Sequence, residues 1–204
     1  MGSSLSPALL LSAILLLPAA AGPAGPLKVG EKAPDFTLQE VRDGHPVTLS
    51  KVLASTRLTV VLWIGVECPF SNACNEDYRR LQTEYAGRGV ALLGVNSNDT
   101  ETLDQVRSHA AEAGFGFSVL KDDRNVVADR FDATFTPEVW ILDATGTARF
   151  HGGLISRGND KSIQKDLTAA LEALLKGKEP PTTETRAFGC TITRVIGRSG
   201  HADI

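Results

Sequence analysis

Residues Leu58 to Ser71 read Leu-Thr-Val-Val-Leu-Trp-Ile-Gly-Val-Glu-Cys-Pro-Phe-Ser. Leu58 to Ile64 is a continuous run of apolar, β-forming side chains, the pattern of a strand buried on both faces. Pro69 suits the first position of a helix. The stretch therefore predicts strand, short loop and helix, with Cys68 at the helix start and at the carboxyl edge of a sheet. In open α/β sheets, ligands and chemistry collect at that edge. Unpaired amides at a helix start stabilise a thiolate and lower its pKa from about 8.5. Cys68 is thus predicted to be a reactive nucleophile, with a nearby Glu67 carboxylate opposing the shift. The alternative is an inert cysteine buried among apolar side chains.

Outward from this unit the pattern repeats. Val90 to Val95, Phe117 to Leu120 and Val139 to Leu142 are further apolar runs. The last runs through the turn Asp143-Ala144-Thr145-Gly146 into a strand at Thr147 to Phe150, a hairpin signal. Phe36 to Val41 and Pro46 to Leu49 read as short strands around Arg42 to His45. Between the strands lie helical stripes. One is Cys74, Tyr78, Leu81 and Tyr85, and a second is Leu103, Val106, Ala110 and Ala113, with Asn98 and Glu101 read as its cap. A third is Ile163, Leu167, Ala170, Leu171 and Leu174, started by Asp160 and ended by Gly177. Asp122-Asp123-Arg124 reads as a solvated turn before a short helix, Asn125 to Phe131. Alternating strands and helices predict an α/β fold: βαβ units with a parallel sheet, closed by an antiparallel hairpin.

The chain has 204 residues and a net charge of −3, with 42% hydrophobic and 22% charged side chains. These values fit one ordinary globular domain with extensions. They exclude a disordered chain, a collagen and a disulfide scaffold. The absence of a basic block argues against nucleic acid as the main partner. Met1 to Ala21 carries no charge, is rich in Leu and Ile, and ends in the small-residue pattern Ala19-x-Ala21. It reads as a secretory signal peptide, being short for the ~20 apolar residues of a membrane span, with an uncleaved anchor as the alternative because it lacks Lys and Arg. The mature protein is therefore expected to be exported, periplasmic or secreted, without stable membrane insertion. Residues 22–27 read as a linker, 28–177 as the domain and 178–204 as a polar tail carrying Cys190.

Three cysteines are too few for a framework. Cys74 lies six residues after Cys68, about 9 Å along a helix. A disulfide needs Cα atoms within roughly 7 Å, so this pair could close only on an unwound helix. Cys74 shares its stripe with core residues and is expected to be structural. Cys190 sits after the last helix, in a segment that can fold back over the active edge. A Cys68–Cys190 disulfide would close a loop of about 122 residues and add several kcal/mol. The same geometry would make Cys190 a resolving thiol, whereas a free tail cysteine or one paired with another chain is the alternative. His45, His109 and His201 have no cysteine or carboxylate at ligand spacing, so no metal site is expected. His151 reads as a surface or structural residue, Glu138 as a neighbour of the active edge, and Trp63 and Trp140 as core. No Gly-rich phosphate loop points to an organic cofactor, and none is expected.

Several segments carry a resemblance. They are Val60-Val61-Leu62-Trp63, Glu67-Cys68-Pro69-Phe70-Ser71, Gly89 to Asn96, Phe135-Thr136-Pro137-Glu138 and the opening Gly30-Glu31-Lys32-Ala33-Pro34-Asp35-Phe36. Together they resemble the redoxin branch of the thioredoxin-like superfamily, which includes alkyl hydroperoxide reductase and thiol-specific antioxidant proteins. The likeness spans residues 28 to 176. It implies a thioredoxin fold: a central mixed sheet flanked by helices, with an N-terminal strand extension and a C-terminal tail. It also puts Cys68 in the first cysteine position of the redox motif and Thr136-Pro137 in the cis-proline loop facing it.

The sequence departs from the family in two places. Ser71 stands where C-x-x-C has its second cysteine, which excludes dithiol exchange inside the motif. The pattern P-x-x-x-T-x-x-C is absent, because Gly65 and Val61 stand three and seven residues before Cys68. The reading is an exported thiol-disulfide oxidoreductase in which the Cys68 thiolate attacks a disulfide or a substrate sulfenic acid. Cys190 or a partner thiol resolves the product. Thr136, Pro137, Pro69 and Ser71 are expected to hold the substrate, the first two by strand-like hydrogen bonds. Expected partners are protein thiols or disulfides, or a peroxide, with an external thiol reductant. A thiol peroxidase, a redox-inert binding module with a structural disulfide and a metal chaperone are the alternatives.

Overall fold

The computed structural model describes residues 26–155 and 165–195. The expected signal peptide, linker residues 22–25 and the Asp160–Ile163 start of the last helical stripe lie outside them.

Strand β3 (Leu58–Trp63) is the axis of the sheet, and its side chains are buried throughout. It pairs in parallel with β4 (Val90–Asn96) and antiparallel with β7 (Glu138–Asp143). β5 (Ser118–Lys121) runs parallel to β4. β1 (Thr37–Glu40) joins β5 and β2 (Pro46–Thr48), both antiparallel, and β8 (Ala148–Gly152) closes the other side as the hairpin partner of β7. The order is β2-β1-β5-β4-β3-β7-β8, a mixed seven-stranded sheet. The hairpin turn is fixed by Asp143, whose Oδ1 accepts the Thr145 and Thr147 amides at 2.9 and 3.1 Å.

Period-two alternation splits the β3 side chains between two cores. Val60, Leu62 and Ile64 face one layer. There they meet Tyr78, Leu81 and Tyr85 of helix α3 (Asn75–Tyr85), Val106 and Ala110 of α4 (Leu103–Glu112), and Leu167 and Leu171 of α6 (Lys165–Leu175). Val61 and Trp63 face the other layer, packed with Phe36, Trp140, and Val127 and Phe131 of α5 (Val126–Phe131). Short helix α1 (Leu49–Leu53) stands where the second strand was expected to end, and it buries Leu49 and Leu53. No described helix is long and apolar enough to cross a membrane.

Three local expectations are corrected, and the tail folds back on the domain. The helix begun by Pro69 is not continuous. It divides into α2 (Pro69–Asn72) and α3, with Cys74 at φ −96° and ψ 1° as the N-cap of α3. Helix α4 is capped by Thr102 and Gln105 in a reciprocal capping box, not by Asn98 and Glu101. Asp122 is buried rather than solvated, because its carboxylate takes the first amides of α5, Val127 and Ala128, at 3.0 and 2.9 Å. Finally, the tail is docked along the edge of the domain. Thr183 O accepts from His151 N at 2.9 Å, and Thr185 N donates to His151 O at 2.9 Å. Further on, β9 (Cys190–Thr191) pairs antiparallel with β6 (Phe135–Thr136), and Ile192 is buried in the second core. The amide of Thr193 donates to Asn98 Oδ1 at 2.9 Å, and that of Val195 to Asn125 Oδ1 at 2.9 Å.

Candidate active site

The loop Gly65–Glu67 leaves β3 at its carboxyl end and delivers Cys68 as the N-cap of α2, with Pro69 in its first turn. The Ser71 N–H donates to Cys68 Sγ at 3.3 Å, and the Cys68 thiol donates to the Thr136 carbonyl at 3.0 Å. The Thr136-Pro137 peptide bond is cis. Strand register sets Cys190 directly opposite Thr136. The carbonyl that receives the Cys68 thiol therefore belongs to the residue that faces Cys190 across the strand pair. Burial, then the neighbouring Cys68, push the Cys190 thiol up to about 11. Cys190 therefore stays protonated at neutral pH. All three cysteines are in the thiol form.

Cys68 is only 4% exposed, less than the partial exposure usual for a reactive thiol. The groups at its sulfur are polar, the Ser71 amide and the Thr136 carbonyl. Its cover is the tail. Gly189 lies so close to the cis-proline loop that a Cβ there would stand 2.0 Å from the Thr136 carbonyl oxygen. Phe188 packs edge-on against Phe70 at 5.0 Å, beside the sulfurs. The Thr136 edge expected to pair with a substrate chain is thus taken by this protein's own β9. Cys74 is fully buried in the first core, among the residues of its stripe.

Ser71 is corrected as a substrate residue. Its side chain is fully buried, and its hydroxyl accepts the Gly65 amide at 3.1 Å and contacts the Tyr78 hydroxyl at 3.3 Å. Burial holds the Tyr78 pKa well above its usual value, so that hydroxyl stays protonated. Ser71 reaches the sulfur only through its backbone. Pro69 is exposed beside Cys68. Gly65 sits in a tight place: a Cβ would lie 3.0 Å from both Cys68 Cβ and Thr136 Oγ1, and 3.1 Å from Asn98 Nδ2. A threonine three residues before Cys68 could not be accommodated without displacing these groups.

Sequence reasoning missed the carboxylate that holds the cysteine loop. Glu101 is 3% exposed, and its two oxygens accept the Val66 and Glu67 amides at 3.0 and 2.9 Å. Asn96 Nδ2 donates to the same carboxylate. Buried Lys121 donates to Asn96 Oδ1 at 3.0 Å and to the Asn98 carbonyl at 2.7 Å, and burial lowers its pKa. One polar network therefore ties the loop before Cys68 to Asn98, which anchors the tail after Cys190. A lone Glu in a capping-like context carries no signal for this role, which explains its misreading as a cap.

Glu138, next to Pro137, accepts the Thr134 and Phe135 amides and pairs with His151 at 2.9 Å. His151 stacks on Trp140 at 4.0 Å. On the far side of the sheet, His45 does have a carboxylate beside it, contrary to expectation: Asp43 Oδ1 is 2.6 Å from His45 Nδ1. Glu40, Asp43 and His45 bring one ligand atom each within 4.8 Å of one another. The Glu40 carboxylate is already bonded to Arg42 and to the Val119 amide.

The AhpC/TSA family matches residues 29–151. This chain belongs to the AhpC/TSA family. No curated protein matches it. A hypothetical protein from Sinorhizobium meliloti is 34% identical with a TM-score of 0.77, covering 84% of this chain and 97% of that one. An uncharacterized protein from Geobacillus kaustophilus is 31% identical with a TM-score of 0.77, covering 83% and 94%. A secreted disulfide oxidoreductase of Mycobacterium tuberculosis shares the fold at 18% identity and a TM-score of 0.51, covering 70% and 95%. The thioredoxin-like redoxin reading of the sequence holds, as does the α/β fold with a mixed sheet flanked by helices.

Proposed function

We propose that this AhpC/TSA family protein is an exported thiol-disulfide oxidoreductase whose reacting pair is Cys68 and Cys190. The observation that carries this reading is the β6–β9 register, which sets Cys190 opposite Thr136, the residue whose carbonyl accepts from the Cys68 thiol. Cys68 as thiolate attacks one sulfur of a disulfide, a new S–S bond forms and the other sulfur leaves as a thiolate. Cys190 then gives its proton to the departing thiolate and attacks the Cys68 sulfur, releasing the second product thiol. The substrate gains two electrons and the protein holds a Cys68–Cys190 disulfide, which an external dithiol reduces. Ser71 cannot take the resolving part, since it has no sulfur and its hydroxyl is committed to Gly65 and Tyr78. Export is supported by the uncharged apolar stretch Met1–Ala21 and by the secreted relative in fold.

The test is turnover of a disulfide with a dithiol reductant. Cys68→Ser should abolish it. Cys190→Ser should stop after one step and accumulate a mixed disulfide on Cys68, visible as a mass increase. Retained turnover in Cys68→Ser overturns the proposal. Membership of a family named for hydroperoxide reduction favours one second reading, in which the first oxidant is a hydroperoxide and Cys68 passes through a sulfenic acid before Cys190 closes the disulfide. Peroxide consumption lost in Cys68→Ser selects it.

A further inference from the structure

Strand β9 does more than bring Cys190 to Cys68. A polypeptide that presents a sulfur to Cys68 by pairing with β6 needs the register opposite Thr136, which Cys190 already holds. The backbone groups of β6 can pair with one chain at a time. The occupant is anchored on both sides. Before it, Phe188 packs on Phe70 and Thr185 pairs with His151. After it, the Ile192 amide donates to the Thr134 carbonyl at 2.9 Å, and Asn98 and Asn125 hold Thr193. Between them, Gly189 lies against the Thr136 carbonyl at a distance that no other residue tolerates.

We infer that the tail strand is a built-in competitor at this edge, and that it restricts the Cys68–Cys190 pair to low-molecular-mass disulfides by excluding extended polypeptides. Gly189 is the residue that sets this specificity. A side chain there meets backbone, which cannot move aside as a flexible side chain would, so substitution lifts the tail from the Thr136 edge. A small disulfide needs only a gap beside the sulfur. A peptide needs the whole edge, and so waits for the tail to leave. The inference rests on the reading of Cys68 as the attacking thiol.

The experiment uses the full chain carrying Cys190→Ser, so that only attack by Cys68 is read. Two probes release the same thionitrobenzoate: a small aromatic disulfide, and a short extended peptide whose central cysteine carries that group. Displacing a docked strand costs several hydrogen bonds, so the small probe should react at least about tenfold faster than the peptide. Adding Gly189→Ala should shrink that ratio by about tenfold or more, mainly by raising the peptide rate. Phe188→Ala, which removes the contact to Phe70 and leaves Gly189 in place, should move the ratio in the same direction. It serves if circular dichroism shows Gly189→Ala to be unfolded. Equal rates for both probes before any tail substitution overturn the inference, as does an unchanged ratio in a folded tail variant. Release from neither probe by any folded variant overturns the reading of Cys68 itself, a separate outcome.

Discussion

At Cys190, burial and the neighbouring Cys68 act in the same direction. Both favour the neutral thiol, so its pKa rises to about 11 from an ordinary value of 9.0. The neutral form is the one the folded state prefers. Its contribution to stability is fully present below the unfolded value of 9.0 and is lost as pH climbs through about 11. Alkylation of Cys190 in the native protein should accordingly keep accelerating past pH 10. In Cys68→Ser the midpoint should fall part of the way towards 9.0, because burial remains when the influence of Cys68 is gone. A native alkylation profile that levels off below pH 9 would contradict the burial of Cys190 beside Cys68. Glu101 acts on the same loop from the other side. Replacing it with Gln leaves one of the two amides before Cys68 without an acceptor and the other with a neutral one. The loss should be about 2 kcal/mol in urea unfolding, in the range for hydrogen bonds to charged groups, together with slower attack by Cys68.

Among the elements, the legible ones had a simple period and the illegible ones were held by distant partners. β3, β4 and β7 read directly from their apolar runs, because strands buried on both faces leave no ambiguity of face. Cys68 at the head of a Pro-started helix was legible for the same local reason. The break between α2 and α3 was not, since nothing in Ala73-Cys74-Asn75 is a helix breaker. Asp122 looked solvated because its partners, Val127 and Ala128, become donors only once α5 has formed. The tail has no period, and its order comes from Asn98, Asn125 and β6, each remote in sequence. Among the described residues, Ile192 is the buried apolar anchor after β9. Ile192→Ala should cost about 2–5 kcal/mol if the tail unfolds together with the core. The same variant should expose Cys190, so its alkylation at neutral pH should quicken. A variant with native stability and native alkylation would mean that the tail does not need this anchor.

For the molecule as a whole, Cys68 and Cys190 stand 122 positions apart in a chain of 204 residues and meet at one edge of the sheet. A bond between them ties the tail across nearly the entire domain, and in the chain-entropy account a loop of that length adds about 4–5 kcal/mol. The oxidised protein should therefore unfold at a higher temperature than the reduced one, and the difference should vanish in Cys190→Ser. The most direct measurement is non-reducing peptide mass mapping after the folded, reduced protein meets a small disulfide at neutral pH. A Cys68–Cys190 linkage that a mild dithiol opens is the expected result, with Cys74 still a thiol. A native Cys68 that remains an unmodified thiol throughout, or that links to Cys74 instead, would contradict the reacting pair.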